Sequence, residues 1–305
     1  MRRPLPSSLS FVGRWYIRHV PWRTGAELAV DRVNSSLREH PRRCVARTRC
    51  GARFRLDTQD LIQRYLYMFG TWEPHMTAWL QSRLRAGDTF VDVGSNIGVF
   101  AVLASRLVGS TGRVVAIEAS PEFHRRVREH VELNGCSNVR AVHAAVSDRR
   151  RELSFVLASS KNMGANSIVP YDGPAESSFE IEALPLPALL EPEEIARARV
   201  MKIDVEGAEG AVVRGLVPML DQLRPDAEIT VEVTPDRMRQ LGDSAEELVE
   251  TMRSHGFHVY RLANDYSPES YPKAIRRPLP PVRWRGPVVE ESDLVFSRVD
   301  AEELA

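Results

Sequence analysis

The stretch FVDVGSNIGVF, residues 90–100, decides how this chain is read. Phe90 to Val93 has the composition of a buried strand, Gly94 breaks it, and a helix is expected from about Val99. Gly94 and Gly98 would let the backbone pass where a Cβ collides. The pattern is D-x-G-x-N-x-G rather than the G-x-G-x-x-G that seats a pyrophosphate at a helix N-terminus. Working outward, RVVAIEASP ends a second apolar run in Glu118, twenty residues past Gly98, and VMKIDVEGAEG ends a later one in Asp204 and Glu206.

These residues predict a ligand. Asp92, at a strand's carboxyl end, would repel a phosphate and suit a cation bearing an amino group. Glu118 stands where open α/β sheets use an acid to accept both hydroxyls of a ribose. A nucleoside with a positive, amino-bearing tail satisfies both, and S-adenosylmethionine is such a molecule. An ordinary tight turn with a solvated acid beyond it explains neither Asn96 inside the turn nor the second acid at that spacing.

DTFVDVGSNIGVFAVLA, VVAIEASPEFHRRVREHVELNG and above all VMKIDVEGAEGAVVRGL resemble the FkbM-type branch of the class I S-adenosylmethionine-dependent methyltransferases, over roughly residues 60–235. The resemblance implies a Rossmann-like α/β fold. Its mostly parallel, seven-stranded sheet carries helices on both faces, and its usual activity is methylation of a hydroxyl on a sugar, polyketide or related metabolite. It carries Asp92, Gly94, Ser95, Asn96, Gly98, Glu118 and Ala119 over as cofactor contacts, with Ser147 and Asp148 near the adenine. Ser95 stands where alanine is usual, and Pro187 replaces an aspartate common before the Lys-x-Asp-x-Glu segment.

Two domains are expected: a basic helical and hairpin extension over 1–85, of α+β character, and the methyltransferase domain over 86–305. Residues 1–85 hold 16 arginines against 6 acids, a net of +10, while the whole chain is formally neutral, so residues 86–305 carry −10. A solvated outer face with acids of the main domain nearby is the default reading of this excess, and an anionic partner for the front end, a phosphorylated or carboxylated substrate, is the sharper alternative. Arg47, Arg49, Arg53 and Arg55 alternate with Ala46, Thr48, Cys50, Ala52, Phe54 and Leu56. A three-residue turn at Cys50 to Ala52 would put all four arginines on one hairpin face. Residues 11–20 predict a helix with Phe11, Val12, Trp15, Tyr16 and Val20 on its packed face.

No run reaches the roughly 20 apolar residues that span a bilayer. Arg14 and Arg18 interrupt what would be a signal peptide's core, and Cys44, Cys50 and Cys136 show neither metal-ligand nor disulfide spacing. The expectation is a cytoplasmic protein without integral membrane contact, its oligomeric state unread.

Helices are expected at 58–69, 74–86, 99–107, 121–134, 208–215 and 244–255. Strands are expected near 90–93, 114–117, 139–146, 152–157, 179–184, 200–203, 228–233, 258–262 and 293–297. Residues 264–291, with six prolines and no periodicity, form the expected lid loop, following a strand expected to run parallel to the others of the sheet. In GTWEP, Trp72 is a candidate to cover a sulfonium and Glu73 to face an amino acid tail, packing being the default for both. Lys161, Asn162 and Asn166 are candidates for holding a sugar-like acceptor.

Methyl transfer to a hydroxyl needs alignment and removal of a proton. Asp204 ranks first as the acid nearest the reaction, then Glu206, then Lys202 as orienting or proton-accepting group. An ion pair between Lys202 and one of these acids stands beside that role. Oxygen ligands here could also hold Mg²⁺, the weaker reading, since acids at helix starts are common without metal; no metal ligand is assigned. The function expected is S-adenosylmethionine-dependent O-methylation of a sugar, glycosylated or secondary-metabolite hydroxyl. An RNA methyltransferase gripping phosphates with the basic front end, or a non-catalytic nucleoside-binding protein of the same fold, are the alternatives.

Overall fold

The computed structural model describes residues 13–18, 26–157, 166–167 and 177–304. Two compact units are present. One comprises 1–78, 160–164 and 264–279; the other comprises 79–159, 165–263 and 280–305. Lys161 and Asn162, and the ends of the expected 11–20 helix, lie outside the described residues.

In the first unit the helix Ala26–Glu39 leads into a hairpin of β1 (Arg43–Arg47) and β2 (Arg53–Asp57), followed by the helix Leu61–Phe69. Asp60 starts that helix by accepting from the Gln63 amide at 2.9 Å, and Gly70 ends it at φ 77°. The hairpin departs from expectation at one arginine. Arg47 faces Arg53 and Val45 faces Arg55 on the exposed side. Arg49 sits in the turn and folds away, its Nε donating to the Phe69 carbonyl at 2.9 Å. The loop is longer than three residues, since Thr48 N donates to the Ala52 carbonyl, so alternation stops before Arg49.

The short helix over 13–18 also packs differently from its predicted face. Trp15 is 55% exposed and Ile17 is 5% exposed. Arg18 turns inward to donate to the carbonyls of Leu66, Tyr67, Met68 and Arg47. Three of those carbonyls belong to the last turn of Leu61–Phe69, the negative end of a helix dipole. Residues 264–279 include the helix Tyr271–Arg276. Its fully buried Tyr271 meets Tyr65 edge-on at 4.7 Å between ring centroids.

The main sheet of the second unit has eight strands among the described residues, of which β3 (Thr89–Val93), β4 (Arg113–Glu118) and β5 (Val139–His143) come first. After β5 the chain leaves this sheet. The segment expected as one strand over 139–146 instead splits, and β6 (Ala145–Val146), β7 (Arg151–Leu157), β8 (Asn166–Ser167) and β9 (Ser177–Leu184) form a separate sheet of order β6-β9-β7-β8. The chain then returns through β10 (Ala198–Ile203), β11 (Glu228–Val233), β12 (His258–Leu262), β13 (Val282–Arg283) and β14 (Ser292–Ser297). The order of the main sheet is β13-β12-β14-β11-β10-β3-β4-β5.

Pairing from β11 through β10, β3 and β4 to β5 is parallel, and β14 runs antiparallel between β11 and β12. β12 therefore points the same way as β11. The edge pair of β12 with β13 adds an eighth strand to the seven expected, and it lies inside the run read as a structureless lid.

Alternation assigns the two faces. Val91, Val93, Val115, Ile117, Met201, Ile203, Ile229 and Val231 enter one core with residues of the helices Glu209–Leu216 and Ala245–Ser254. The intervening positions, Asp92 and Lys202 among them, lie on the other face with the helix Val99–Val108, where the Lys202 ammonium is 5.4 Å from the Phe100 ring centroid. The result is a mostly parallel α/β sheet with helices on both faces, as expected. Ser120 and Pro121 start the helix Pro121–Asn134 as predicted, the Ser120 hydroxyl accepting from the Phe123 amide at 3.4 Å.

Candidate functional site

The site lies where β3, β4, β10 and β11 end. After β3 the chain turns through Gly94 at φ 82°, its amide donating to the Ile117 carbonyl at 2.9 Å. A Cβ at Gly94 would fall 1.7 Å from the carbonyl oxygen of Asp204, so the end of β10 presses on this turn and only glycine fits. Gly98 differs: a Cβ there would meet Val127 at an ordinary 3.6 Å, and its φ of 79° is what calls for glycine. Ser95 is buried, its hydroxyl donating to the Ile117 carbonyl at 3.3 Å.

Asn96 adopts φ 52°. Among the described residues only Glu73, Asn96 and Glu206 are non-glycines in this region, and all three are sequence-predicted site residues. Backbone strain of this kind concentrates at functional sites.

Glu118 is 8% exposed, and its carboxylate is held by backbone: Oε2 accepts from the Asn96 amide at 2.7 Å and Oε1 from the Ser120 amide at 2.8 Å. Each oxygen keeps a second lone pair, enough for a vicinal diol. Burial pushes its pKa up to about 7 against the pull of those two amides. Ala119 follows with its carbonyl 3.0 Å from Nε2 of His143.

Asp92 is 1% exposed and neither of its oxygens has a partner at hydrogen-bond distance. Burial raises it to about 6, with the Lys202 charge pulling the other way, the Asp204 charge adding to the rise and the Ala101 amide lowering it least. A buried carboxylate without hydrogen bonds is costly, and a cationic ligand is what would repay it.

On β10, Lys202 Nζ donates to Asp204 Oδ2 at 2.7 Å. Burial would raise Asp204, but the Lys202 charge, a hydrogen bond from Glu232 and the Arg237 charge together hold it below the usual carboxylate range. The ion pair weighed for Lys202 is therefore present. Glu206 is paired with Arg237 on the helix Pro235–Gln240. Glu209 is fully buried and closes the turn by accepting from the Gly207 amide at 2.9 Å and the Val205 amide at 3.3 Å.

Other candidates fall elsewhere. Ser147 is fully buried, its hydroxyl donating to Asp148 at 3.3 Å, and Asp148 lies 3.6 Å from Arg214 on the helix Glu209–Leu216. Glu73 belongs to the first unit, where its carboxylate accepts from Tyr266 at 3.4 Å and Asn264 at 3.5 Å. Trp72 stacks on Tyr266, centroids 5.4 Å apart. Asn166 is in β8.

Glu232 and Arg237, both acting on Asp204, went unpredicted. The alternation EITVEV could have placed Glu232 on the Lys202 face, but no motif marks it. Among the described residues no group of three or more His, Cys, Asp or Glu is arranged to hold a metal ion, and no helix is long and apolar enough to cross a membrane.

Comparison with known proteins agrees with this chemistry. The Methyltransferase FkbM domain matches residues 92–259. The hexuronic acid methyltransferase AglP of Haloferax volcanii is 26% identical over 218 residues, 70% of this chain and 86% of that protein. A protein-L-isoaspartate O-methyltransferase of Ignicoccus hospitalis is 40% identical over 68 residues, 22% of this chain and 32% of its own length. Among solved structures, a methyltransferase FkbM from Methylobacillus flagellatus KT is aligned over 77% of this chain at 12% identity with a TM-score of 0.41, and the chain spans 52% of that protein. With its match running from Asp92 at the glycine turn to Val259 in β12, the chain belongs to the FkbM methyltransferase family and is an S-adenosylmethionine-dependent methyltransferase.

Proposed function

We propose that this enzyme methylates a hydroxyl of a sugar, glycosylated or secondary-metabolite acceptor, a small molecule that carries negative charge. The observation that carries the reading is Asp204. It leaves β10 directly against the Gly94 turn, ionised and held by Lys202. A hydroxyl must lose a proton to attack, and a positioned carboxylate that stays ionised can receive it. The similarity to a protein named as a hexuronic acid methyltransferase supports a carboxylated sugar.

In this reading Glu118 binds the ribose hydroxyls and Asp92 faces the amino acid ammonium. Gly94, Ser95, Asn96 and Gly98 form the turn over that tail, and Ala119, Ser147 and Asp148 border the adenine. S-adenosylmethionine, when bound, supplies a methyl group on a positively charged sulfur. Lys202 fixes one oxygen of Asp204 and leaves the carboxylate to orient the acceptor. Glu206, tied to Arg237, supports the turn.

The test is incubation with methyl-labelled S-adenosylmethionine and a panel of neutral and uronic acid glycosides, with S-adenosylhomocysteine measured. Base-stable label on a uronic acid glycoside identifies a methyl ether and upholds the reading. Base-labile label identifies an ester and moves the acceptor atom from hydroxyl to carboxylate. Asp204→Asn should lower kcat by about 10²-fold or more while leaving S-adenosylmethionine affinity within a few-fold.

A further inference from the structure

We infer, on the reading of the acceptor as a carboxylated sugar, that Arg237 determines acceptor specificity: its guanidinium binds the sugar's carboxylate, and Glu206 holds that place until the acceptor enters.

An anion arriving at this end of the sheet meets acids first. Asp204 is ionised and Glu206 follows it closely, with Asp92 and Glu118 near the ends of β3 and β4. Holding a carboxylate here requires a cation within its reach. Lys202 and Arg237 both act on Asp204. The Lys202 side chain is 5% exposed and donates to Asp204 Oδ2 at 2.7 Å. The Arg237 side chain is 35% exposed, so of the two it is the one a ligand can touch.

The fold mounts Arg237 against the turn that carries Asp204. It lies in the helix Pro235–Gln240, which follows β11, and a Cβ on Gly207 would fall 2.9 Å from the Arg237 Cβ. The helix therefore packs on the turn with no space for a side chain at Gly207. The carbonyl of Asp204 presses on Gly94, so the short segment from Asp204 to Gly207 touches the glycine turn at one end and Arg237 at the other.

Glu206 pairs with Arg237 from a backbone at φ 60°, a conformation disfavoured for glutamate. Glu209 keeps the turn in that shape by accepting from the amides on either side, those of Val205 and Gly207. A glutamate kept in strained backbone and presenting its carboxylate to an arginine has the form of a stand-in for a ligand carboxylate. Both members of the pair are half-buried, and pairs open to solvent contribute little to stability. Exchange of one carboxylate for another preserves the charge-assisted hydrogen bonds of the guanidinium and returns Glu206 to water. The planar fork of Arg237 takes both oxygens of the incoming carboxylate, which orients the sugar ring and presents one of its hydroxyls to Asp204. A neutral sugar offers Arg237 nothing in exchange for Glu206.

The probes are methyl glucuronoside and methyl glucoside, which differ in a carboxylate that replaces one hydroxymethyl group. The first measurement needs no turnover. With S-adenosylhomocysteine bound, the nuclear magnetic resonance signal of the Arg237 Nε–H, identified by its absence in Arg237→Lys, should move on addition of methyl glucuronoside and stay in place with methyl glucoside. The second is the ratio of kcat/KM for the glucuronoside to that for the glucoside, in which any loss at Asp204 or in folding that both probes share cancels. Arg237→Gln should lower the ratio by about 10-fold or more through KM for the glucuronoside, and Arg237→Lys, which keeps the charge and loses the fork, should lower it less. Glu206→Gln, which removes the competing carboxylate, should raise it. A signal unmoved by the glucuronoside, a ratio unchanged in Arg237→Gln, or a ratio that falls in Glu206→Gln would overturn the inference and, where wild type turns over the glucuronoside, leave the acceptor reading standing. Turnover of methyl glucoside alone, or of neither probe, would overturn the acceptor reading and the role of Arg237 with it.

Discussion

Gly94 shows how one residue can be demanded twice, by its own φ of 82° and by the Asp204 carbonyl 1.7 Å from where a Cβ would stand. Gly94→Ala should cost about 3 kcal/mol, from left-handed strain plus overpacking against backbone that cannot yield. Chemical denaturation measures that loss, and calorimetry should find S-adenosylmethionine affinity reduced with it. Glu118→Gln tests the other pole of the site. One amide oxygen can still accept from backbone, but the –NH₂ then faces a backbone N–H. The substitution should weaken binding by at least about 10-fold while the protein remains folded. Both residues were legible from spacing, because a strand that ends in an acid before a glycine turn presents that acid at the sheet's binding edge. Glu232 was not, because a lone glutamate in EITVEV becomes meaningful only when register sets it beside Asp204.

The helix Leu61–Phe69 owes its C-terminal end to a residue far away in sequence. Arg18 donates to three carbonyls of its last turn and to Arg47 besides, and burial with the nearby Arg14 and Arg49 charges lowers its pKa to about 10, so the guanidinium stays charged at neutral pH. Arg18→Ala should cost about 2 kcal/mol, the range for hydrogen bonds from a charged group, and lower the unfolding midpoint accordingly. Arg18→Lys should recover only part of it, since one ammonium cannot fork across carbonyls that a guanidinium spans. Helix and strand limits over 90–134 follow caps, prolines and alternation closely, as do the strands and the helix Ala245–Ser254 over 228–262, whereas the helix Pro235–Gln240 went unpredicted. The predicted packing of Trp15 and the four-arginine hairpin face did not hold, because periodicity ranks arginine as outward-facing. It carries no information about carbonyls waiting at another helix's end.

Three fully or nearly buried acids, Asp92, Glu118 and Glu209, share one energetic signature across the second unit. Burial is the leading cause for each, and they rise to about 6, about 7 and about 7. For a carboxyl raised on folding, the native state binds more protons than the unfolded one between the two pKa values. The sign is therefore a stability that grows as pH falls from about 7 toward 4.5. His75 and His124, both lowered by burial, work the opposite way. The difference between wild type and Glu118→Gln isolates one contribution: thermal unfolding should show a wild-type advantage that increases on acidification through this window and is smallest above it. What the sequence by itself determined was the alternation of the α/β core, the glycine turn and the two acids near the ends of β3 and β4, since each is a local matter of period, spacing and residue chemistry. Only the tertiary structure decided that 264–279 joins the first unit, that the chain detours into a second sheet after β5, and that Asp204 is flanked by Lys202, Glu232 and Arg237. Those outcomes depend on which strands pair and in what register, and pairing is set by long-range packing that no window of neighbouring residues contains.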